Sequence, residues 1–166
     1  MGRDKARLML GSRTLVSHIR CTLRTIGFPV RVIRRDCVPR CGPLGGVYTA
    51  LATTQSDAVL FLPCDMPFVG IEALRCVLEK YIPQGNAVFT SHGNRVGFPF
   101  VLNRRAAGKV ARQLERGEFS LQALARSLRA KIIRVPRKFS PQLRNVNTRS
   151  DWETAKRLWN RRNYNR

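Results

Sequence analysis

The sequence predicts an α/β domain with a mostly parallel sheet, and three observations carry that prediction. Short apolar, partly β-branched runs at residues 30–33, 58–62, 87–90, 98–102 and 132–135 alternate with stretches of helical periodicity. The run Ala58-Val-Leu-Phe-Leu62 is apolar without interruption, the pattern of a strand covered on both faces. With 166 residues, 43% of them hydrophobic, the chain can bury one core.

Each element has its own warrant. Over residues 12–26, Leu15, Ile19, Leu23 and Ile26 recur at helical spacing, with Ser12 placed to cap and Gly27 to terminate. Residues 30–33 read as a short strand. Gly42-Pro43-Leu44-Gly45-Gly46 is a turn that opens a helix running to about Thr53. After the 58–62 strand, residues 69–81 are helical, with Ile71, Leu74, Val77 and Leu78 as the apolar stripe. Strands are expected at 87–90 and 98–102. Asn103 is placed to cap a helix over 104–115, and Ser120 to cap another carrying Leu121, Leu124, Ala125 and Leu128. A last strand covers 132–135. Asn145-Val-Asn-Thr148 is a polar turn, and Ser150-x-x-Glu153 reads as the capping box of a terminal helix through Leu158 and Trp159.

Charge is distributed unevenly. The chain has 31 basic and 10 acidic residues, for a formal charge of +21. Residues 1–40, 41–100 and 101–166 carry net +8, −1 and +14. A near-neutral middle with basic ends suits a core and acidic site inside a positive rim, which favours polyanions such as phosphate groups. Many arginines can equally be solvated helix faces. A nucleic-acid partner is disfavoured, because no aromatic-interleaved basic strand, Cys/His finger spacing or helix-turn-helix signature is visible. No run approaches the roughly 20 apolar residues of a membrane span, and no secretory signal is visible. The expectation is a single-domain, soluble, cytoplasmic protein over residues 1–166. Five cysteines (Cys21, Cys37, Cys41, Cys64 and Cys76) then read as reduced thiols, and the Cys37/Cys41 pair lacks partners for a zinc site.

Open α/β sheets bind ligands at the carboxyl ends of their strands. Asp65, in Leu62-Pro-Cys-Asp65-Met-Pro67, follows the apolar strand directly and is the best candidate for a Mg²⁺ ligand, since Mg²⁺ takes one or two carboxylates and fills its shell with phosphates and water. Its alternative is a helix cap. The glycines beside Pro43 would let backbone approach a base or ribose, or simply make a tight turn. Asp36 could accept hydrogen bonds from a nucleoside or pair with Arg34 or Arg35. Lys5 could act as a point charge on a polyphosphate or be a solvated terminal lysine. Asn145 and Asn147 could supply neutral oxygen ligands or form an Asx-turn. His18 and His92 have no visible acid or nucleophile partner and receive no catalytic role.

Taken in order, Met1-Gly-Arg-Asp-Lys5-Ala-Arg-Leu8, Gly42-Pro-Leu-Gly-Gly-Val47, Leu62-Pro-Cys-Asp65-Met-Pro67 and Asn145-Val-Asn-Thr148 resemble the motifs of the molybdenum cofactor guanylyltransferase family. The resemblance covers nearly the whole chain. It implies a three-layer, Rossmann-like nucleotidyltransferase domain that transfers GMP from GTP to molybdopterin with Mg²⁺ and releases pyrophosphate. It further implies that Lys5 contacts nucleotide phosphate, that Asp36 contacts the guanosine portion, that Gly42, Pro43 and Leu44 lie near the nucleotide, and that Asp65 binds Mg²⁺. Asn147 is the implied contributor from the last motif. The basic C-terminal third could help hold the pterin phosphate.

The family begins with a strand and a loop of the form Leu-Ala-Gly-Gly-x-Ser-x-Arg running into Met-Gly, whereas this sequence starts at Met-Gly. The family's first strand and glycine-rich loop are therefore expected to be missing, with the true start upstream or the product impaired. Related readings keep the fold and use CTP or another phosphorylated acceptor, or retain nucleotide binding without turnover.

Overall fold

The computed structural model describes residues 5–38, 40–85, 87–92 and 95–164. The chain divides into two compact units, one comprising Met1–Val30, Pro63–Ala73 and Arg137–Arg166, the other Arg31–Leu62 and Leu74–Pro136.

The second unit holds the main sheet, built from β3 (Ala58–Phe61), β5 (Arg95–Asn103), β4 (Ala87–His92) and β6 (Lys131–Arg134), in that spatial order. β3, β4 and β6 run in one direction and β5 runs against them, so the sheet is mostly parallel in direction although two of its three ladders are antiparallel. The reversal arises because β4 and β5 follow each other too closely for a crossover, so they form a hairpin. Side-chain alternation then sorts the core into two faces. Phe61, Ala87, Phe89, Phe100 and Leu102 point to one side, against helices α2 (Pro43–Thr53), α4 (Ala107–Glu115) and α5 (Leu121–Ser127). Ala58, Leu60, Val88, Val101 and Ile133 point to the other, where Val77 and Leu78 of α3 (Ile71–Leu78) cover them. This is a three-layer arrangement. Phe100 anchors it, stacked on Phe89 at 4.5 Å and on Phe61 at 5.0 Å between ring centroids.

In the first unit, β1 (Met9–Leu10) and β2 (Arg13–Thr14) form a minimal hairpin, followed by α1 (Leu15–Thr25). Gly11 in the hairpin turn has φ of +63° and lies against the Trp159 indole, so it answers both to the backbone and to a close neighbour. Trp159 and Trp152 of α6 (Arg149–Tyr164) pack with Leu10, Leu15, Phe68, Val146 and Ala155.

Several local expectations need correction. Ser12 lies in the hairpin turn, and Thr14 caps α1 by accepting the Ser17 N–H at 3.2 Å; Gly27 ends that helix as expected, with φ of +78°. Residues 30–33 are not a strand, because a strand needs a ladder partner and none of the described strands pairs with them. β3 is apolar on both faces, but among the described strands it stands at the sheet edge. Thr148 and Asp151, not Ser150 and Glu153, cap α6. Asn103 and Ser120 do cap as expected: the Asn103 side chain accepts the Arg105 N–H at 2.9 Å, opening a 3₁₀ turn before α4, and the Ser120 hydroxyl accepts two amides of α5.

Candidate active site

In the first unit, three of the expected site residues come together from distant parts of the chain. Lys5 lies in a short 3₁₀ turn, Lys5–Arg7, and Asp65 on the proline-flanked segment after β3. Asn147 lies in the turn before α6. The Lys5 Nζ donates to Asn147 Oδ1 at 2.8 Å. The Val146 N–H donates to the Asp65 carbonyl at 2.8 Å, fixing the backbone of Asp65 beside that turn. Met1–Asp4, the start of the first motif, lie outside the described residues.

The electrostatics of Asp65 are divided. Partial burial pushes its carboxyl above the usual carboxylate range, while the Lys5 ammonium and the residue's own backbone N–H pull the other way. One of its oxygens, Oδ1, is buried without a hydrogen-bond partner among the described residues, and so is Asn145 Oδ1. Two orphaned oxygens on residues flanking one backbone hydrogen bond suit a hard cation, which prefers carboxylate and amide oxygens. The described residues contain no cluster of three or more His, Cys, Asp or Glu side chains, so a cation here would draw further ligands from phosphate and water. Asn145 and Asn147 thus differ in state: the Asn147 oxygen is held by a lysine, the Asn145 side-chain oxygen by no group among the described residues.

Asp151 organises this turn. Its Oδ2 accepts from the amides of Asn147 at 3.0 Å and Thr148 at 2.8 Å, and from the Thr148 hydroxyl at 2.8 Å. Those bonds hold its pKa below the usual range. The sequence reading missed Asp151 because Ser150-x-x-Glu153 masked an equivalent signal, Thr148-x-x-Asp151, two residues earlier. The 3₁₀ stretch at Arg137–Leu143 was likewise not anticipated.

In the second unit, Gly42 precedes α2 with φ of +55° and Pro43 takes its first position. Leu44 is wholly buried in the core, backbone included, so the exposed part of this turn is Gly42 and Pro43. The Asp36 carboxylate lies over the first turn of α2. A Cβ on Gly45 would come within 2.8 Å of Asp36 Oδ2 and 2.9 Å of the Val38 carbonyl. A negative charge at a helix N-terminus is favourable. Thr49, also missed, pins this loop: its hydroxyl accepts the Cys37 N–H at 2.9 Å and donates to the Gly45 carbonyl at 2.8 Å. None of the five cysteines forms a disulfide among the described residues. His18 has a structural place, its Nε2 hydrogen-bonded to the Leu10 carbonyl at 2.8 Å and its ring edge-on to Trp159. The His92 side chain lies outside the described residues. No helix among the described residues is long and apolar enough to cross a membrane.

Comparison with known proteins bears on the whole arrangement. The family model of the MobA-like NTP transferase domain matches residues 1–132. A molybdenum cofactor guanylyltransferase of Syntrophotalea carbinolica is 32% identical over 133 residues, covering 76% of this chain and 63% of the relative. The chain spans 54%, 63% and 60% of three curated relatives bearing this name or its "probable" form. The molybdopterin-guanine dinucleotide biosynthesis protein A of Archaeoglobus fulgidus superposes with a TM-score of 0.73 at 17% identity, over 96% of this chain and 92% of that one. A Mycobacterium tuberculosis protein solved in complex with manganese superposes with a TM-score of 0.63 at 18% identity, over 94% and 93%. At these identities the solved structures speak for the fold alone.

Proposed function

The chain belongs to the family of MobA-like NTP transferase domains, and from that premise we propose that it transfers GMP from GTP to molybdopterin with release of pyrophosphate. The observation that carries this reading is the meeting of Lys5, Asp65 and Asn147, with orphaned oxygens on Asp65 and Asn145. A cation-ready carboxylate beside an ammonium is what a triphosphate needs.

Nucleotidyl transfer is mostly positioning and charge neutralisation. An oxygen of the acceptor phosphate attacks the α-phosphorus of GTP, and the bond to the pyrophosphate oxygen breaks. The attacking oxygen is already anionic at neutral pH, so no general base is required. Lys5 exchanges its amide partner for phosphate oxygen and offsets charge on the leaving group. Asp65, with the oxygens of Asn145 or Asn147, would hold Mg²⁺, which when bound supplies further neutralisation of the triphosphate. Asp151 keeps the asparagine turn in place by its two amide bonds. In the second unit, Asp36 and the Gly42–Pro43–Leu44 turn are proposed to lie at the nucleoside, with Gly42 and Pro43 the exposed surface of that turn. The basic C-terminal third is proposed to attract the acceptor's phosphate. A reaction fed by nucleoside triphosphate fits a cytoplasmic setting.

A pyrophosphate-release assay with GTP, Mg²⁺ and molybdopterin tests the proposal. The expected result is turnover that requires all three and is lost in Asp65→Asn. Turnover that survives Asp65→Asn, or that prefers CTP over GTP, would overturn the site or the nucleotide respectively.

A further inference from the structure

In the second unit, β6 (Lys131–Arg134) ends the main sheet: it pairs in parallel with β4, and no described strand lies on its other side. A strand so placed keeps a row of backbone donors and acceptors unpaired. The Ser91 hydroxyl donates to the Ile133 carbonyl at 3.4 Å, so that carbonyl turns toward β4. Alternation along the strand then puts the N–H and C=O groups of Ile132 and Arg134 on the open side. Lys131, Ile132 and Arg134 are exposed, Ile132 at 46%, as an uncovered edge requires.

The side chains along this edge run cation, apolar, apolar, cation. Ile132 is the ladder partner of Phe89 and shares its face of the sheet, whereas Ile133 packs with Val77 and Val88 on the other. Two further cations, Arg126 and Arg129, come just before β6, and the sequence holds no acidic residue from 119 to 150. None of these four cations is in an ion pair among the described residues.

A bare edge invites a further strand, and here the charges select which. A second copy of the chain would lay another Lys131 and Arg134 near the first pair, and like charges across a strand pair are unfavourable. A nucleic acid would answer the cations but offers no peptide ladder and no partner for Ile132. We propose that β6 docks an extended segment of an acidic protein as an added strand, with acidic residues opposite Lys131 and Arg134 and apolar ones opposite Ile132 and Ile133. Backbone hydrogen bonds then supply affinity, and the order acid, apolar, apolar, acid supplies specificity. The inference stands apart from nucleotidyl transfer and uses none of Lys5, Asp36, Asp65 and Asn147.

Fluorescence anisotropy on the full chain tests it, with a labelled, end-blocked peptide of sequence Thr-Glu-Val-Val-Glu-Thr. Saturable binding with Kd below about 1 mM is expected. Exchanging both peptide glutamates for glutamine should weaken binding at least about threefold, as should the double variant Lys131→Gln, Arg134→Gln. N-methylation of both valine amides should weaken it at least about tenfold, because the ladder is lost while the charges remain. Ile132→Pro removes an outward N–H at an edge position where proline is tolerated, and should weaken binding likewise; circular dichroism checks that each variant folds. Absence of saturable binding overturns the proposal, as does undiminished binding of the N-methylated peptide. Displacement of the label by a short thymidine oligonucleotide more readily than by unlabelled peptide also overturns it, in favour of a nucleic-acid surface.

Discussion

Lys5 and Asn147, 142 positions apart in the chain, are joined by a 2.8 Å hydrogen bond from the ammonium to the side-chain carbonyl. The same ammonium lowers the pKa of Asp65 against the larger upward push of burial. Replacing Lys5 with Gln removes that opposing influence. Asp65 then titrates higher, and the acid limb of the pH–rate profile moves to higher pH. Turnover at neutral pH is expected to fall on the order of 10²–10³-fold, since a transition-state charge partner is lost. A pH–rate series on wild type and Lys5→Gln checks both effects.

Asp65 itself sets function against stability. Because its folded pKa is raised, folding favours the protonated form, so its contribution is best below the unfolded pKa and is lost as pH rises through the folded value. At neutral pH the carboxylate is therefore a cost in the metal-free protein. Asp65→Asn removes the charge and keeps the shape. Its metal-free melting temperature at pH 7 should equal or exceed that of wild type, while pyrophosphate release is lost. A clear fall in melting temperature would show that the carboxylate is structural.

Gly45→Ala addresses the second unit. The new Cβ would meet Asp36 Oδ2 at 2.8 Å and the Val38 carbonyl at 2.9 Å, and the carbonyl is backbone that cannot swing away. Overpacking of this kind costs about 1–3 kcal/mol. The denaturation midpoint should fall accordingly with an unchanged slope, and Asp36 should be displaced from α2.

Asp151 acts in the opposite sense to Asp65. Its pKa is lowered by the Thr148 and Asn147 bonds, so its contribution is present above the unfolded pKa and is lost as pH falls through the folded value. Asp151→Ala should lower the melting temperature at pH 7, and the gap from wild type should close on acidification. If Asp151 also positions Asn147, turnover should fall as well and be partly restored in Asp151→Glu.

Much of the secondary structure was legible where a local signal had no rival. Gly42 followed by Pro43 marks the start of α2 because only that pairing combines a positive φ with a preset first helical residue. Asn103 and Ser120 cap as their side chains predict. Legibility failed where two local signals competed. Ser12 and Thr14 can both cap α1, and the hairpin of Met9–Leu10 with Arg13–Thr14 settles the choice by claiming Ser12 for its turn. Thr148 and Ser150 both head a capping spacing, and it is the amides of Asn147 and Thr148 that reach the acid, Asp151.

The sequence alone determined what depends on neighbours in the chain: the helices, the order of the strands from β3 onward, the two-faced apolar pattern of β3, and the motifs that singled out Lys5, Asp65 and Asn147. Tertiary structure decided what depends on partners far away. Residues 30–33 have strand composition yet make no ladder with any described strand, and β5 reverses direction within an otherwise co-directional sheet. It also decided that the Lys5 ammonium holds Asn147 while Oδ1 of Asp65 and Oδ1 of Asn145 have no hydrogen-bond partner among the described residues. Hydrogen bonds and desolvation act through space, and spacing along the chain carries no record of which distant groups will share a buried site.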